Sequence, residues 1–280
     1  MVRKKNKISE EKFIECKNCG NRFEGIYCNE CGQKHNVNRL TIKSVVENIF
    51  VGITTIDRGF LHTLIMLVLH PGEIITNYIQ GKRVRYMRPF SLLFIIYAVY
   101  GIIISVVNFY FPDISEELLV SKETFVSDSF DFYKDHPVVF SLIELPLMAW
   151  AMKIVFGKLL KSKFAYNYTE LLFASVFIVC LETMVTIVTV PLKLYVLKIG
   201  NDYTLISWLL GVVVTAWCIR GMFNLGFMRS LWKSVLVIIT SNFLLAFGII
   251  AIILTLIVIG GVMIFYIPEP IRDVLLNILR

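Results

Sequence analysis

Long apolar stretches separated by short charged ones limit the fold of this chain more than any other feature. After residue 89 the sequence contains several runs of about 20 apolar residues, and a helix of that length crosses the hydrocarbon core of a bilayer. The chain is 56% hydrophobic and 18% charged, whereas soluble domains are roughly 45–50% apolar and about 25% charged. This composition excludes a soluble enzyme and a disordered chain. We therefore expect an all-α integral membrane helix bundle.

The apolar runs predict about five spans. They are expected at residues 90–111, 137–156, 171–192, 205–222 and 235–267. The last run allows either one long tilted helix or a helical hairpin. We favour one helix, because two spans of about 20 residues and a turn hardly fit within it.

Charge in the connecting segments predicts the orientation of the chain. Cations precede the first span and recur at residues 158–163 and 220–233, whereas residues 112–136 are acidic. Because cytoplasmic loops carry an excess of Lys and Arg, we expect a cytosolic N terminus and a C terminus outside. The net charge of +7 is thus read as a topology signal, and nucleic acid is an unlikely partner.

Four of the six cysteines form two Cys-x-x-Cys-Gly units, at residues 16–20 and 28–32. Two such turns can direct four sulfurs at one ion, with a glycine allowing positive φ after each pair. A closed Cys₄ site is structural and requires a reducing compartment. We predict a zinc ribbon with ligands Cys16, Cys19, Cys28 and Cys31. Iron stays open as the metal, and a disulfide or redox pair is the weaker alternative.

Residues 39–89 are expected to lie at the membrane surface, between a ribbon domain with a basic leader at 1–38 and the membrane domain at 90–280. Apolar residues in 41–53 follow helical spacing and predict an amphipathic helix. Thr54-x-x-Asp57 fits a capping box that opens a second helix to residue 69, too short to span and therefore interfacial or re-entrant. We interpret residues 70–73, His-Pro-Gly-Glu, as a helix stop and restart set by turn geometry, with a third helix at 73–80.

A basic segment precedes the first span and contains Lys82, Arg83, Arg85 and Arg88. One reading is a contact surface for phosphate or anionic headgroups. The other, which we favour, is a topology signal that keeps the segment cytoplasmic.

Ionisable side chains inside spans form a candidate polar site, because such groups are costly in a bilayer. On the third span, helical spacing places Ser175, Glu182, Thr186, Thr189 and Lys193 on one face. The second span carries Glu144 two residues before Pro146. We name Glu144, Glu182 and Thr186 as a possible intramembrane polar site. The alternative, which we favour, is structural hydrogen bonding between helices.

The order of motifs resembles a bacterial family of zinc-ribbon membrane proteins known only as a domain of unknown function. The motifs are the cysteine pair with Tyr27-Cys28-x-x-Cys31-Gly32-Gln33, Asp57-Arg58-Gly59-Phe60 with Thr63, His70-Pro71-Gly72, Tyr78-Ile79-x-Gly81-Lys82-Arg83, Tyr86-x-x-Pro89 and Phe164-x-Tyr166-Asn167-Tyr168-Thr169-Glu170. The resemblance implies a multi-pass protein of the bacterial inner membrane. It implies no activity to transfer to these residues.

Two functions are consistent with the sequence. Phosphate loops, nucleophile elbows and metalloprotease motifs are absent from it, so an enzyme is the less favoured reading. We favour a non-enzymatic scaffold or regulator whose zinc ribbon and basic segment engage a protein partner or anionic lipid. The alternative is a transporter or channel for an ion or small molecule that uses Glu144 and Glu182. The sequence does not predict an oligomeric state.

Overall fold

A computed structural model describes residues 13–52, 59–110, 137–159, 166–198 and 204–266. Several predictions fall outside these residues. They are the basic leader at 1–12, the Thr54-x-x-Asp57 capping box, the acidic loop at 112–136 and the placement of the C terminus.

The described chain consists of a small β-ribbon followed by helices. The ribbon strands are β1 (Ile14–Glu15) and β2 (Arg22–Phe23), which pair antiparallel with Ile14 opposite Phe23. The helices are α1 (Ile42–Gly52), α2 (Phe60–Leu69), α3 (Pro71–Ile79), α4 (Pro89–Tyr110), α5 (Pro137–Val155), α6 (Gly157–Leu159), α7 (Tyr168–Lys198), α8 (Thr204–Phe223) and α9 (Phe227–Tyr266).

In the described residues, five helices are long and apolar enough to cross a membrane: α4, α5, α7, α8 and α9. Their apolar parts are Pro89–Val107, Val138–Val155, Tyr168–Leu194, Leu205–Phe223 and Phe227–Thr255. The predicted fold class is therefore confirmed, as a helical bundle of the multi-pass membrane type with a Cys-rich ribbon at its N-terminal end.

The last span is one continuous helix, as favoured from the sequence, but it begins earlier than expected. We predicted a start at residue 235 and placed Arg229 and Lys233 in a loop, whereas α9 begins at Phe227 and contains both. The connection from α8 is only residues 224–226, and Asn224 adopts a positive φ of 50° there. This tight turn, which sequence periodicity does not reveal, lets the helix start directly after α8.

The helix α7 is the centre of the bundle and packs against α4, α5 and α8. Its residues 169–181 are buried almost without interruption, including Phe173 and Phe177. Cys180 in α7 and Cys218 in α8 are fully buried, so the two cysteines outside the ribbon are core residues. A helix that is apolar on all faces is expected to be surrounded by other elements.

The ribbon end of the bundle is the end where α4, α7 and α9 begin and α5 and α8 end. There Lys233 Nζ donates to the Val155 carbonyl at 2.9 Å and lies 4.5 Å from the centre of the Phe156 ring. Phe156 stacks in turn on Phe223, with ring centres 4.1 Å apart. These contacts join the ends of α5 and α8 to the start of α9.

The short helix α3 is inserted into the bundle at this end and packs against α7 and α8. Six of its nine residues are buried, and Gly72 lies directly against Gly221 of α8. A Cβ built on Gly72 would come within 2.3 Å of the Gly221 Cα. The helix stop and restart at His70 is as predicted, but our reason for Gly72 was wrong. Gly72 is a helical residue whose small size permits two backbones to touch, rather than a turn residue.

The helices α1 and α2 both expose apolar side chains beside the ones that they bury. On α1, Val45 and Ile49 pack on the core, and Ile42 and Val46 on the adjoining part of the same face are exposed. On α2, Leu67 is buried, and the opposite side exposes Leu61, Ile65, Val68 and Leu69. An exposed apolar stripe at this end of a membrane bundle is consistent with the interfacial placement expected for these helices.

Candidate metal centre and intramembrane cavity

The two cysteine pairs fold into matching turns. After each pair the amide of a glycine donates to the carbonyl of the first cysteine, from Gly20 to Cys16 and from Gly32 to Cys28, both at 2.8 Å. Both glycines have positive φ, 76° and 74°, which a side chain would strain. The backbone therefore shows the positive φ that we predicted for the glycine after each Cys-x-x-Cys pair.

The four sulfurs converge on one point. All four Sγ atoms lie within 4.8 Å of one another, with Cys16 and Cys31 sulfurs 3.5 Å apart and Cys19 and Cys28 sulfurs 3.6 Å apart. These separations are too long for a disulfide, whose S–S bond is about 2.05 Å. They are close to the roughly 3.8 Å expected between sulfurs in a tetrahedron with about 2.3 Å metal–sulfur bonds. The donor set therefore fits a single metal ion.

The environment of the thiols favours one thiolate before any metal binds. Burial by itself would raise the pKa of Cys28, but amides of Cys31 and Glu30 and the neighbouring thiols donate to its sulfur, and its pKa falls to about 6. The pKa of Cys19 rises to about 12, because a donated bond from Asn21 is outweighed by burial and the other thiols. A divalent ion would replace this shared proton network and hold all four groups as thiolates.

The ribbon is docked on the segment that follows α3. The side chain of Gln33 is buried and its amide nitrogen donates to the Gly81 carbonyl at 2.9 Å. Its carbonyl oxygen accepts from the Arg83 amide at 3.2 Å. Gly81 has a positive φ of 103° and lies against Val37. A single glutamine therefore pairs with backbone groups some fifty positions away.

A second clamp joins the linker to the start of α7. The Arg39 guanidinium donates to both Glu170 oxygens, at 2.6 and 2.8 Å. Glu170 also accepts from the Asn167 amide at 2.8 Å, while the Glu170 amide donates to the Asn167 side chain at 2.7 Å. This reciprocal pair is a capping arrangement at the helix start. Contact with Glu170 raises the pKa of Arg39.

The basic residues named from the sequence are largely engaged within the protein. Arg83 donates to the Asn38 carbonyl at 3.0 Å, and burial lowers the pKa of its guanidinium. Lys82 donates to the Asn77 side chain at 3.0 Å, and Arg85 donates to His62 Nε2 at 3.0 Å. Arg88 also has an interaction partner. These contacts are compatible with a topology signal and use donor hydrogens that headgroups would otherwise accept, while the positive charge of the segment is retained.

Further motif residues meet beside α2. The Thr63 hydroxyl donates to the Gly59 carbonyl at 2.7 Å and accepts from the Met87 amide at 2.8 Å. His62 stacks on Tyr86, with ring centres 5.7 Å apart. A Cβ on Gly59 would approach the Arg85 carbonyl within 2.8 Å. The motif around Gly59 and Thr63 and the motif around Tyr86 are thus packed against each other.

The predicted intramembrane residues line one cavity of about 400 Å³, which we call the intramembrane cavity. It lies between α5, α7, α8 and α9, and Glu144, Glu182 and Thr186 all reach its wall. Thr189 and Lys193 continue the wall toward the end away from the ribbon. Ser175, which we placed on the same stripe, is not part of it. Its hydroxyl is buried and donates to the Leu171 carbonyl at 3.0 Å.

Polar contacts between helices accompany the cavity. Thr215 of α8 donates to a Glu182 oxygen at 2.6 Å, and the hydroxyls of Tyr97 in α4 and Ser141 in α5 are hydrogen-bonded. Helical spacing identified Glu182, but no single-helix pattern could identify Thr215, since it belongs to another span.

One part of the chain is similar to known sequences. Residues 57–101 match a protein family of unknown function, DUF3667. This match confirms the resemblance inferred from the motifs. The family has no assigned activity. The DUF3667 segment runs from just before α2 into α4 and includes Gly81 and Arg83, on which the ribbon docks. Neither a curated protein nor a solved structure matches the chain.

Proposed function

We propose that this chain is a non-enzymatic scaffold or regulator of a bacterial inner membrane, with a zinc-bound ribbon in the cytosol. The ribbon and the basic segment would present one surface to a protein partner or to anionic lipid. The observation that carries the proposal is the attachment of the ribbon to the bundle, through Gln33 to Gly81 and Arg83 and through Arg39 to Glu170. A ribbon held in this way can pass a binding event on to the bundle.

Exposed apolar side chains of the ribbon support a protein partner. Among the described residues, Phe13, Ile26 and Tyr27 are 59–62% exposed. Aromatic and aliphatic groups of another protein could bury such side chains. The buried cluster of the ribbon consists of Cys16, Phe23 and Cys28, so these exposed groups are not required for its core.

Partner binding can be tested by purifying the full chain in native-membrane nanodiscs and identifying bound polypeptides and lipids by mass spectrometry. We expect Ile26→Asp together with Tyr27→Ala to lose a bound polypeptide and to retain one metal ion per chain. The matched control is Glu47→Gln, a change of an exposed residue away from the ribbon. Identical bound components in the wild type, the double variant and a chain lacking residues 1–38 would contradict the proposal.

A second candidate function is a transporter or channel, and the intramembrane cavity is the observation that favours it. Two carboxyl groups and four hydroxyl groups line a space of about 400 Å³ between α5, α7, α8 and α9. Pockets of about 300–1,000 Å³ are typical of small-molecule sites. This candidate predicts cation flux into liposomes that falls at least tenfold in Glu182→Gln. Absence of flux with the intact protein, or equal flux in both proteins, would reject it.

A further inference from the structure

Three of the four hydroxyl groups that line the intramembrane cavity have already donated their hydrogens. The fourth, Ser207, lies eight positions before Thr215 on α8, or about 12 Å toward the end away from the ribbon. Thr186 donates to the Glu182 carbonyl at 2.9 Å, Thr189 to the Val185 carbonyl at 2.9 Å, and Ser241 to the Ile238 carbonyl at 3.0 Å. A hydroxyl has one donor hydrogen and two acceptor lone pairs. Each of these oxygens can therefore offer only acceptor capacity to a molecule in the cavity.

The two carboxyl groups add acceptors of greater strength. Glu182 receives one hydrogen bond, from Thr215 at 2.6 Å, which leaves its other oxygen unused by that contact. Glu144 makes no hydrogen bond or ion pair with any residue in the described part of the chain. A carboxylate has about four lone-pair sites. The middle of the cavity thus has an excess of acceptors over donors.

The one cation among the lining residues is distant from this centre. Lys193 follows Glu182 by eleven positions on the same helix, or about 16 Å at 1.5 Å per residue. It has an interaction of its own. Lys193 therefore does not neutralise the carboxyl groups when they are ionised, and a ligand with a positive charge and donor hydrogens would complement them at the centre of the cavity.

The rest of the wall indicates what kind of cation fits. Met148, Val185, Val214 and Ile238 line the cavity, and Trp208 adds an aromatic ring. Apolar side chains would strip water from a metal ion without replacing it, whereas they favour an organic body. Aromatic rings also attract organic cations. A volume of about 400 Å³ holds many water-sized units of roughly 30 Å³ each, so a bare inorganic ion would leave it largely unfilled.

We infer that the intramembrane cavity binds a small organic cation, a protonated amine or guanidinium on an apolar body. The N–H groups of the ligand donate to Glu144 and Glu182 and to the hydroxyl oxygens of Thr186, Thr189 and Ser241, while its body lies against the apolar wall. This inference names a ligand class for the second candidate function and rests on that candidate's site.

The test uses three probes with similar bodies and different charge: 2-phenylethylammonium, the neutral 2-phenylethanol and the anionic 3-phenylpropanoate. Binding to the full chain in nanodiscs is measured by isothermal titration calorimetry at pH 7. We expect saturable binding of the ammonium at least tenfold tighter than that of the alcohol, and no binding of the anion. Glu144→Gln and Glu182→Gln should each weaken ammonium binding at least tenfold.

The matched control is Glu73→Gln, which removes an exposed carboxyl on α3 outside the cavity and should leave the affinity unchanged. Glutamine at 182 keeps an oxygen that can accept from Thr215, so the variant retains this helix contact. Equal affinity for the ammonium and the alcohol, or unchanged affinity in both cavity variants, would overturn the inference.

A parallel flux measurement with Na⁺, K⁺ and 2-phenylethylammonium distinguishes transport from binding. Flux of an inorganic ion without binding of the ammonium would overturn the organic-cation inference and leave the transport candidate standing. Specific ammonium binding without any flux would support the inferred site and reject transport.

Discussion

At the residue scale, the pair of Arg39 and Glu170 is the contact with the clearest energetic consequence. Arg39 is 57% exposed at its side chain and Glu170 only 3%. We expect Glu170→Gln to lower the free energy of unfolding by about 1–3 kcal/mol, because one hydrogen bond from Arg39 is lost and the other no longer has a charged acceptor, while the exposed arginine remains hydrated. Thermal unfolding of the detergent-solubilised chain, followed by circular dichroism, measures this change.

The matched control is Glu47→Gln, since Glu47 pairs with Lys43 at 3.9 Å and both side chains are exposed. Surface pairs of this kind contribute about 0–1 kcal/mol, so its melting temperature should hardly move. Equal losses in Glu47→Gln and Glu170→Gln would show that the clamp contributes no more than a surface ion pair.

Gly72 provides a second residue-scale prediction, because its role is steric. We expect Gly72→Ala to destabilise the protein by about 1–3 kcal/mol or to prevent its folding, since the new methyl group would overlap the Gly221 backbone. Gly101→Ala is the control. No atom lies within 4 Å of a Cβ built there, so that variant should be as stable as the wild type. A thermal unfolding temperature for Gly72→Ala equal to that of Gly101→Ala would contradict the close approach.

Individual residues of the candidate site differ in how far the sequence predicts their roles. The four cysteines are identified by local spacing, because their geometry depends on turns of a few residues. Gln33, Arg39 and Thr215 acquire their roles from partners 33–131 positions away. No local pattern in one sequence contains that information.

At the element scale, the ribbon depends on its metal because its buried cluster is so small. We expect chelation to increase amide hydrogen exchange across residues 13–38 and at the Arg83 amide, whose partner is Gln33. Exchange in the buried part of α7 should not change. Mass spectrometry resolves the three regions, and a chain with Ser at all four cysteines should show the same pattern without chelator. Unchanged exchange in the ribbon would reject a metal-stabilised domain.

The extent of each helix follows partly from sequence. Apolar length predicted the existence of the spans, because a stretch of about 20 apolar residues satisfies its backbone hydrogen bonds in a bilayer as a helix. It also predicted α9 as one helix, because two spans and a turn hardly fit in the last apolar run. Its start at Phe227 was missed, because Arg229 and Lys233 look like loop residues until Lys233 is seen to bond the Val155 carbonyl. Cationic residues near the start of a helix resemble loop residues when only the order of residues in the sequence is considered.

At the scale of the whole molecule, the proposed orientation places the two ends of each span on opposite sides of the membrane. Tyr110 ends α4 away from the ribbon, and Asn224 follows α8 at the ribbon end. With a membrane-impermeant maleimide on intact spheroplasts, we expect Tyr110→Cys to be labelled from outside. Asn224→Cys should be labelled only after permeabilisation. The opposite pattern would reverse the proposed topology, and labelling of both from one side would show that α5, α7 or α8 does not cross.

The sequence by itself determined that this chain is a multi-pass helical bundle with a Cys₄ ribbon, because bilayer thickness and turn geometry act on a few consecutive residues. Only the tertiary structure decided that the ribbon is docked, that α3 enters the bundle at a glycine contact, and that Glu144 and Glu182 share a cavity. These features depend on how helices distant in sequence pack, and packing is decided by the shapes of both surfaces together. The apolar stretches therefore determined which segments are helices. The side chains at the contacts between those helices determined what the bundle encloses.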